Sequence, residues 1–309
     1  MSVRTLCVGL LMGAAEIVPG VSGGTIAFIS GIYERLVNSL KQFTPALIPR
    51  LRKEGVREVW VLTDARFLLI LFAGMAVSII VFANAISYLL HNEPVALWSF
   101  FFGMVLASCW VVSKDISRTQ FESYLFLIVG VLVGIVVTHI TPLEISPTPA
   151  ALFFGGMFAV CAWILPGLSG SFILLIMGLY TFLVDAIKSF DVVSLMTLGA
   201  GCAIGLVSFA QVLSVLFSRF RNGTLALLTG FMMGSLAKLW PWKNTLSYQL
   251  KSDGSQIPIL QEPVMPQTYE VIMNEQANMM LAIGVALSGI LLVFLLHWIA
   301  TQSENPRTS

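Results

Sequence analysis

Two polar, glycine-rich stretches interrupt apolar segments of this chain: EIVPGVSGGT at 16–25 and LPGLSGS at 165–171. Their hydroxyl groups are hydrogen-bond donors, and their glycines let a ligand approach the backbone closely. The helix that begins after each break presents free N–H groups and the positive end of its dipole, which together favour an anion, and phosphate above all. We therefore predict a phosphate site that combines the two breaks. Its predicted contacts are Ser22, Gly23, Gly24, Thr25, Ser169, Gly170 and Ser171.

The same residues have a plainer interpretation. A Pro-Gly pair ends a helix by itself, and nearby hydroxyls then bind the backbone groups that the break has freed. Thr25 also has the residue type of an N-cap for the helix that follows it. Because the break recurs at matched positions, we favour the phosphate site over this alternative.

Glu16 is the acidic residue of the first apolar run. An ionisable group inside a membrane is a functional candidate, and burial favours the neutral form of a carboxyl group. We therefore expect Glu16 to carry a proton in step with an anionic ligand, with Asp185 as a second coupling candidate. The alternative is a neutral Glu16 that hydrogen-bonds between helices. We expect no metal and no cofactor, and the sequence does not choose between H+ and Na+ as a coupling ion.

Four further polar residues are candidate contacts for the headgroup. Asn84 and Gln211 are amides in the middle of two apolar runs, where an amide either binds a ligand or joins two helices. Arg35 and Lys188 each lie beyond a break, toward opposite membrane surfaces. They either receive a phosphate there or extend their charges toward water, as terminal basic residues often do.

The composition predicts that the elements holding these residues lie in a membrane. Of the 309 residues, 57% are hydrophobic and 11% are charged, whereas globular domains carry about 25% charged residues. A net charge of +1 gives no reason to expect a nucleic-acid partner. A full span needs about 20 residues, so the paired runs 3–18/25–40 and 150–165/171–187 are short for spans. We interpret each pair as a re-entrant helical hairpin.

The order of residues in the first half recurs in the second. Pro19, Ser22, Gly31, Tyr33, Gly74 and Gly103 correspond to Pro166, Ser169, Gly178, Tyr180, Gly201 and Gly230. Each half then contains one hairpin and three spans, and an odd number of spans inverts the second half. The predicted fold is therefore an all-α polytopic membrane protein with two inverted repeats.

The boundaries of the two repeats follow from the apolar runs. The first repeat, 1–140, contains the hairpin 3–40, a cytoplasmic connector at 41–65, and spans at 66–90, 95–113 and 121–140. The second, 150–300, contains the hairpin 150–187, spans at 192–217, 223–240 and 279–300, and an extracytoplasmic segment at 241–278. Most lysines and arginines fall in the segments placed inside, so both termini are predicted to be cytoplasmic.

The stretch PGVSGGT at 19–25, with GIYER at 31–35, resembles the signature of a bacterial membrane family. These are the undecaprenyl-phosphate (polyprenyl-phosphate) translocases of PopT type, formerly catalogued as domain of unknown function 368. The resemblance covers nearly the whole chain. It implies a flippase that returns undecaprenyl phosphate from the outer to the cytoplasmic leaflet of the bacterial inner membrane, which recycles this lipid carrier for peptidoglycan synthesis. The sequence leaves a homodimer open.

Two other functions compete with this one. Integral undecaprenyl-pyrophosphate phosphatases carry a similar Pro-Gly-x-Ser-Arg-Ser motif, but Gly23 and Gly170 stand where the arginine would be. Without that cation, nothing obvious stabilises a phosphoryl-transfer transition state, so we expect no enzyme. A small-anion transporter or channel is the third possibility. Because the first hairpin has more polar groups than the second, we expect most of the headgroup chemistry there.

Overall fold

The computed structural model describes residues 2–18, 21–116, 121–140, 143, 145–250 and 256–304. Pro19 and Gly20 of the first break lie outside the described residues. The helices of the first half are α1 Ser2–Ile17, α2 Gly23–Ile29, α3 Tyr33–Leu40, α4 Leu47–Glu54, α5 Val56–Leu62, α6 Ala65–Asn92, α7 Pro94–Ser113 and α8 Phe121–His139. Those of the second half begin with α9 Pro149–Ile164, α10 Gly170–Ile176, α11 Tyr180–Lys188, α12 Val192–Arg219 and α13 Arg221–Ser235. A 3₁₀ turn Leu236–Leu239, strands β1 Lys243–Leu250 and β2 Gln256–Pro263, α14 Pro266–Met273 and α15 Met279–Glu304 complete the order.

Within the described residues, five helices are long and apolar enough to cross a membrane: α6, α7, α8, α12 and α15. The bent pair α10–α11 makes a sixth if it counts as one span. The chain is therefore a multi-pass helical membrane protein, which confirms the expected class. The small antiparallel hairpin of β1 and β2 is an addition that the sequence did not predict.

The returning limb of each hairpin is broken, although the sequence predicts one continuous helix over 25–40 and another over 171–187. Gly31 ends α2 and Gly178 follows α10, both with φ of +73°. The next N–H in each case bonds back over the turn, from Ile32 to the Ala27 carbonyl and from Leu179 to the Leu174 carbonyl. This is the helix ending that glycine favours, and it bends α11 by 109° from α10.

Three other predicted segments take definite forms. The predicted span 223–240 is an α-helix only to Ser235 and then tightens into the 3₁₀ turn. The connector 41–65 contains α4 and α5. Segment 241–278 folds into the β-hairpin and α14, where the Trp240 indole donates to the Val264 carbonyl and the Trp242 indole to the Ala277 carbonyl. The first bond ties the segment to the end of the 3₁₀ turn, and the second ties the beginning of the segment to its end, just before α15.

Glycines allow four pairs of helices to touch backbone to backbone. A Cβ atom at Gly9 would meet the Leu71 carbonyl, and one at Gly156 would meet the Leu198 carbonyl, so α1 lies on α6 as α9 lies on α12. The same holds for Gly103 against Ala286 and for Gly230 against Leu127, which join α7 to α15 and α13 to α8. Such close approaches are typical of helix packing in membranes.

Candidate functional site

The first break is capped by Ser22. This residue has extended backbone angles, and its Oγ accepts the N–H of Gly24 at 3.0 Å. Ser22 is thus the N-cap of α2, and the prediction that Thr25 caps this helix is wrong. The helix begins at Gly23, so the extended Ser22 is the residue whose hydroxyl reaches the Gly24 N–H, whereas Thr25 already lies inside the helix.

Ser22 and Thr25 also join the first break to the second. The hydroxyl of Ser22 lies 3.1 Å from the carbonyl oxygen of Leu165 and 3.2 Å from that of Trp163, so its one proton is shared between them. Thr25 Oγ1 accepts the N–H of Gly167 at 3.0 Å. The structure therefore brings the two breaks into direct contact, through groups that the sequence assigns to a phosphate.

Gly24 lies where the two breaks press together. A Cβ atom at this position would stand 2.5 Å from the carbonyl oxygen of Ile164, a backbone atom that cannot move aside as a side chain could. Its neighbour Gly23 faces Glu16, whose Oε1 accepts the Gly23 N–H at 2.6 Å. The Trp163 side chain also hydrogen-bonds this carboxyl group. Glu16 thus closes the start of α2 and touches the residue that corresponds to it in the other half.

The second break is built differently. The hydroxyls of Ser169 and Ser171 bond to each other at 2.7 Å, and no side chain among the described residues caps α10. Gly170 presses on the Ala159 carbonyl of its own hairpin. Gly167, with φ of +91°, packs against Met232 and Ser235 at the end of α13. The second break is therefore supported by the neighbouring helix α13, whereas the first break is supported by its own side chains.

The other predicted contacts lie on other elements. Arg35 donates to Asp64 Oδ2 at 2.6 Å and stacks on Phe67, with 4.2 Å from its guanidinium carbon to the ring centroid. Lys188 is exposed at the end of α11, and Asp185 is half-buried one turn earlier. Asn84 and Gln211 are exposed on α6 and α12. The structure thus unites Glu16 with the two breaks and places these five residues elsewhere.

Two lysines that the sequence did not single out lie near each other, and one of them, Lys238, lies beside the second break. Lys238 follows α13, with its Nζ 4.6 Å from the centroid of the Phe172 ring. Lys243 begins β1, with its Nζ 3.1 Å from the centroid of the Trp98 ring. The signal in the sequence is the run KLWPWK at 238–243, in which the two cations flank two tryptophans.

The chain resembles known proteins over most of its length. A family model described as undecaprenyl phosphate translocase-like matches residues 12–257, which include both breaks and both lysines. A Vibrio cholerae serotype O1 protein named polyprenyl-phosphate transporter is 42% identical over 285 residues, which cover 92% of each chain. A Staphylococcus aureus protein with the same name is 28% identical over 264 residues, covering 75% of this chain and 84% of that protein. No solved structure matches the chain.

Proposed function

The chain belongs to the undecaprenyl phosphate translocase-like family, and we propose on this premise that it carries a polyprenyl phosphate across the bacterial cytoplasmic membrane. The movement runs from the outer to the cytoplasmic leaflet, so that the lipid carrier is used again in cell-wall synthesis. The family description and the relatives' names are those of transporters. They confirm both the family resemblance and the expectation of a transporter that is not an enzyme.

The contact between the two breaks is the observation that carries this proposal. A polyprenyl phosphate has a headgroup of about −1.5 to −2 charges near neutral pH on an apolar tail that can remain in lipid. Only the headgroup needs a polar path. Ser22, Thr25 and Ser169 are buried hydroxyls at the meeting point of two re-entrant segments, where they supply hydrogen-bond donors within an otherwise apolar protein.

Passage of the headgroup requires the breaks to part. In this structure the Ser22 proton and the Thr25 oxygen are engaged with backbone groups of the second break. When the hairpins separate, phosphate oxygens can replace the carbonyl acceptors of Ser22, and the Gly167 N–H can donate to phosphate. Hydrogen bonds are then exchanged, which costs far less than leaving buried polar groups unpaired.

An inverted repeat gives this path two alternating openings. We take the first repeat as 1–140 and the second as 150–300, with both termini cytoplasmic. Three matched features support the division into two repeats: the α1–α6 and α9–α12 contacts, the α7–α15 and α8–α13 contacts, and the shared φ of Gly31 and Gly178. The first hairpin then opens to the cytoplasm and the second to the outside, as in transporters that rock around a central site.

The charged residues define the ends of the path and its coupling. The headgroup enters past Lys188 and leaves past Arg35, whose bond to Asp64 is exchanged for one to phosphate. Glu16 binds the Gly23 N–H at the start of α2, so a change in its protonation acts directly on the first break. A proton is therefore the coupling ion that this contact supports, with Asp185 as the second candidate group.

Reconstitution tests the proposal. Purified protein in liposomes receives undecaprenyl phosphate in one leaflet, and both its redistribution and any inorganic phosphate are measured. Redistribution without phosphate release supports the translocase. Release of phosphate from undecaprenyl pyrophosphate would show a phosphatase, and conduction of simple anions without movement of lipid would show a channel.

A further inference from the structure

Lys243 is a buried lysine whose amino group has no anionic partner among the described residues. Its residue is 6% exposed, and among the described residues no hydrogen-bond acceptor lies within reach of its Nζ. Burial, and then the ammonium of Lys238, lower the pKa of Lys243 well below its usual value. The face of Trp98 replaces only part of the hydration that the ammonium loses. This lysine therefore lowers the stability of the protein as long as no anion is bound.

Lys238 adds a second positive charge to the same region. It interacts electrostatically with Lys243, and its Nζ lies over Phe172, the residue after Ser171 of the second break. None of the acidic side chains described in 241–278 forms an ion pair with either lysine. Glu262 accepts from Asn244, Glu270 from the Ala277 N–H, and Glu275 from the Tyr269 hydroxyl.

An apolar groove of about 410 Å³ adjoins the two lysines. Its lining includes Phe102, Leu236, Trp240, Val264 and Met265. Two of its other lining residues connect it to the lysines: Ala237 precedes Lys238, and Pro263 is the cross-strand partner of Lys243. A pair of cations next to an apolar groove matches a ligand with an anionic head and a hydrocarbon tail.

We propose that Lys238 and Lys243 bind the phosphate monoester of the substrate on the outer side of the second break, with its first isoprene units in the adjoining groove. The site rests on the proposed function and adds to it the place where the headgroup binds before the breaks part. The phosphate is the anionic partner that the two lysines do not have among the described residues. The Lys238 side chain, over Phe172, connects this site to the path between the hairpins.

Binding of short prenyl compounds to the full-length protein in detergent tests the site. The probes are farnesyl phosphate, inorganic phosphate and farnesol, and the variants are Lys243→Met and Lys238→Met. Lys53→Met is the control, because Lys53 is exposed on α4. We expect each site variant to raise the Kd for farnesyl phosphate about tenfold or more. The control should bind as the wild type does, and farnesol should bind all proteins equally.

Two further measurements distinguish a prenyl phosphate from free phosphate as the ligand and show how much Lys243 destabilises the ligand-free protein. Wild-type protein should bind farnesyl phosphate more tightly than inorganic phosphate, because only the former fills the groove. Equal affinities would overturn the assignment of the groove to the prenyl chain. Without ligand, Lys243→Met should melt at a higher temperature than the wild type, which a lysine with a purely structural role would not show.

The experiments distinguish an error in the proposed lysine site from an error in the proposed function. If the wild type moves undecaprenyl phosphate in liposomes while both lysine variants bind farnesyl phosphate with wild-type affinity, the site is wrong and the function stands. If the wild type neither binds farnesyl phosphate nor moves undecaprenyl phosphate, the function is wrong and the site falls with it.

Discussion

The two breaks share a sequence pattern but are stabilised in different ways. In the first, Glu16 and Ser22 bind the N–H groups that open α2, and Thr25 reaches across to Gly167. In the second, the hydroxyls of Ser169 and Ser171 bond to each other. The first break is thus closed by its own polar groups, which leaves its donors engaged, whereas the second depends on α13 for support.

Two lysines, Lys41 near the first hairpin and Lys243 in the segment 241–278, also differ in whether their charge has a hydrogen-bond partner. Lys41, between α3 and α12, donates to the Ser214 hydroxyl at 2.6 Å. Lys243 lies over the Trp98 ring, and its Nζ has no hydrogen-bond acceptor among the residues that the structure describes. The number of polar groups in the sequence favours the first hairpin as the centre of the headgroup chemistry. The hydrogen bonds in the structure favour the second hairpin instead, because a polar group that already has a hydrogen-bond partner gains less free energy from binding a ligand.

The largest expected effect is that of Gly24→Ala. The new Cβ would clash with the Ile164 carbonyl, so we expect a loss of about 3 kcal/mol in stability and loss of transport. Thermal melting and the liposome assay measure the two effects. Gly199→Ala is the matched control, because nothing lies within 4 Å of a Cβ there, and it should be neutral or stabilise α12 by up to about 1 kcal/mol. Wild-type stability in the Gly24 variant would show that the breaks are not in contact.

The loss of stability in Thr25→Val, compared with that in Ser171→Ala, tests whether the two breaks are stabilised differently. The substitution keeps the shape of the side chain and leaves the Gly167 N–H without its acceptor, so we expect it to cost about 1–3 kcal/mol. Ser171→Ala removes one hydroxyl of a mutually bonded pair and should cost about 1 kcal/mol or less. The two melting temperatures decide the comparison. If Ser171→Ala lost more stability than Thr25→Val, the second break and not the first would be the one stabilised by its own side chains.

Lys243→Met should stabilise the protein, by about 1 kcal/mol or more at neutral pH. Because the pKa of Lys243 is lowered on folding, the unfolded chain binds more protons than the folded one between the lowered pKa and 10.5. Wild-type stability should therefore rise with pH across that window, and the advantage of the variant should shrink. Denaturant unfolding at several pH values measures this. An advantage that is constant up to pH 10 would show that Lys243 is hydrated.

Glu16→Gln should have the smallest effect on stability and a specific effect on transport. Glutamine keeps an Oε1 acceptor for the Gly23 N–H, so the change in stability should stay below about 1 kcal/mol. If Glu16 carries the coupling proton, the variant loses the dependence of the transport rate on pH. A pH profile identical to that of the wild type would exclude Glu16 from coupling.

The sequence predicts the class of fold well because lipid imposes strong rules on the backbone. Apolar runs locate the long helices to within a few residues, and the polar breaks at 16–25 and 165–171 mark real interruptions. The sequence does not predict the second bend in each returning limb. Gly31 and Gly178 served as markers of the repeat, but a glycine in an apolar run is as consistent with close helix packing as with a positive φ.

The site is less predictable, because it depends on contacts between distant segments. The sequence supplies the residue types at the breaks, but it does not show that Ser22 bonds to Leu165 across the two halves. Lys243 lies in the segment 241–278, whose several prolines leave its shape open in the sequence. The run KLWPWK at 238–243 marks it as unusual, but its contact with Trp98, far away in the sequence, is visible only in the structure.

The central claim is that the two breaks part when the headgroup passes. Ser22→Cys and Leu165→Cys, in a protein whose four cysteines Cys7, Cys109, Cys161 and Cys202 are changed to alanine, can be joined by a short bifunctional methanethiosulfonate. Ser22→Cys alone, treated with the same reagent, is the control. We predict that joining the breaks stops the redistribution of undecaprenyl phosphate in liposomes and that reduction restores it. Redistribution at the full rate by the joined protein would contradict the account.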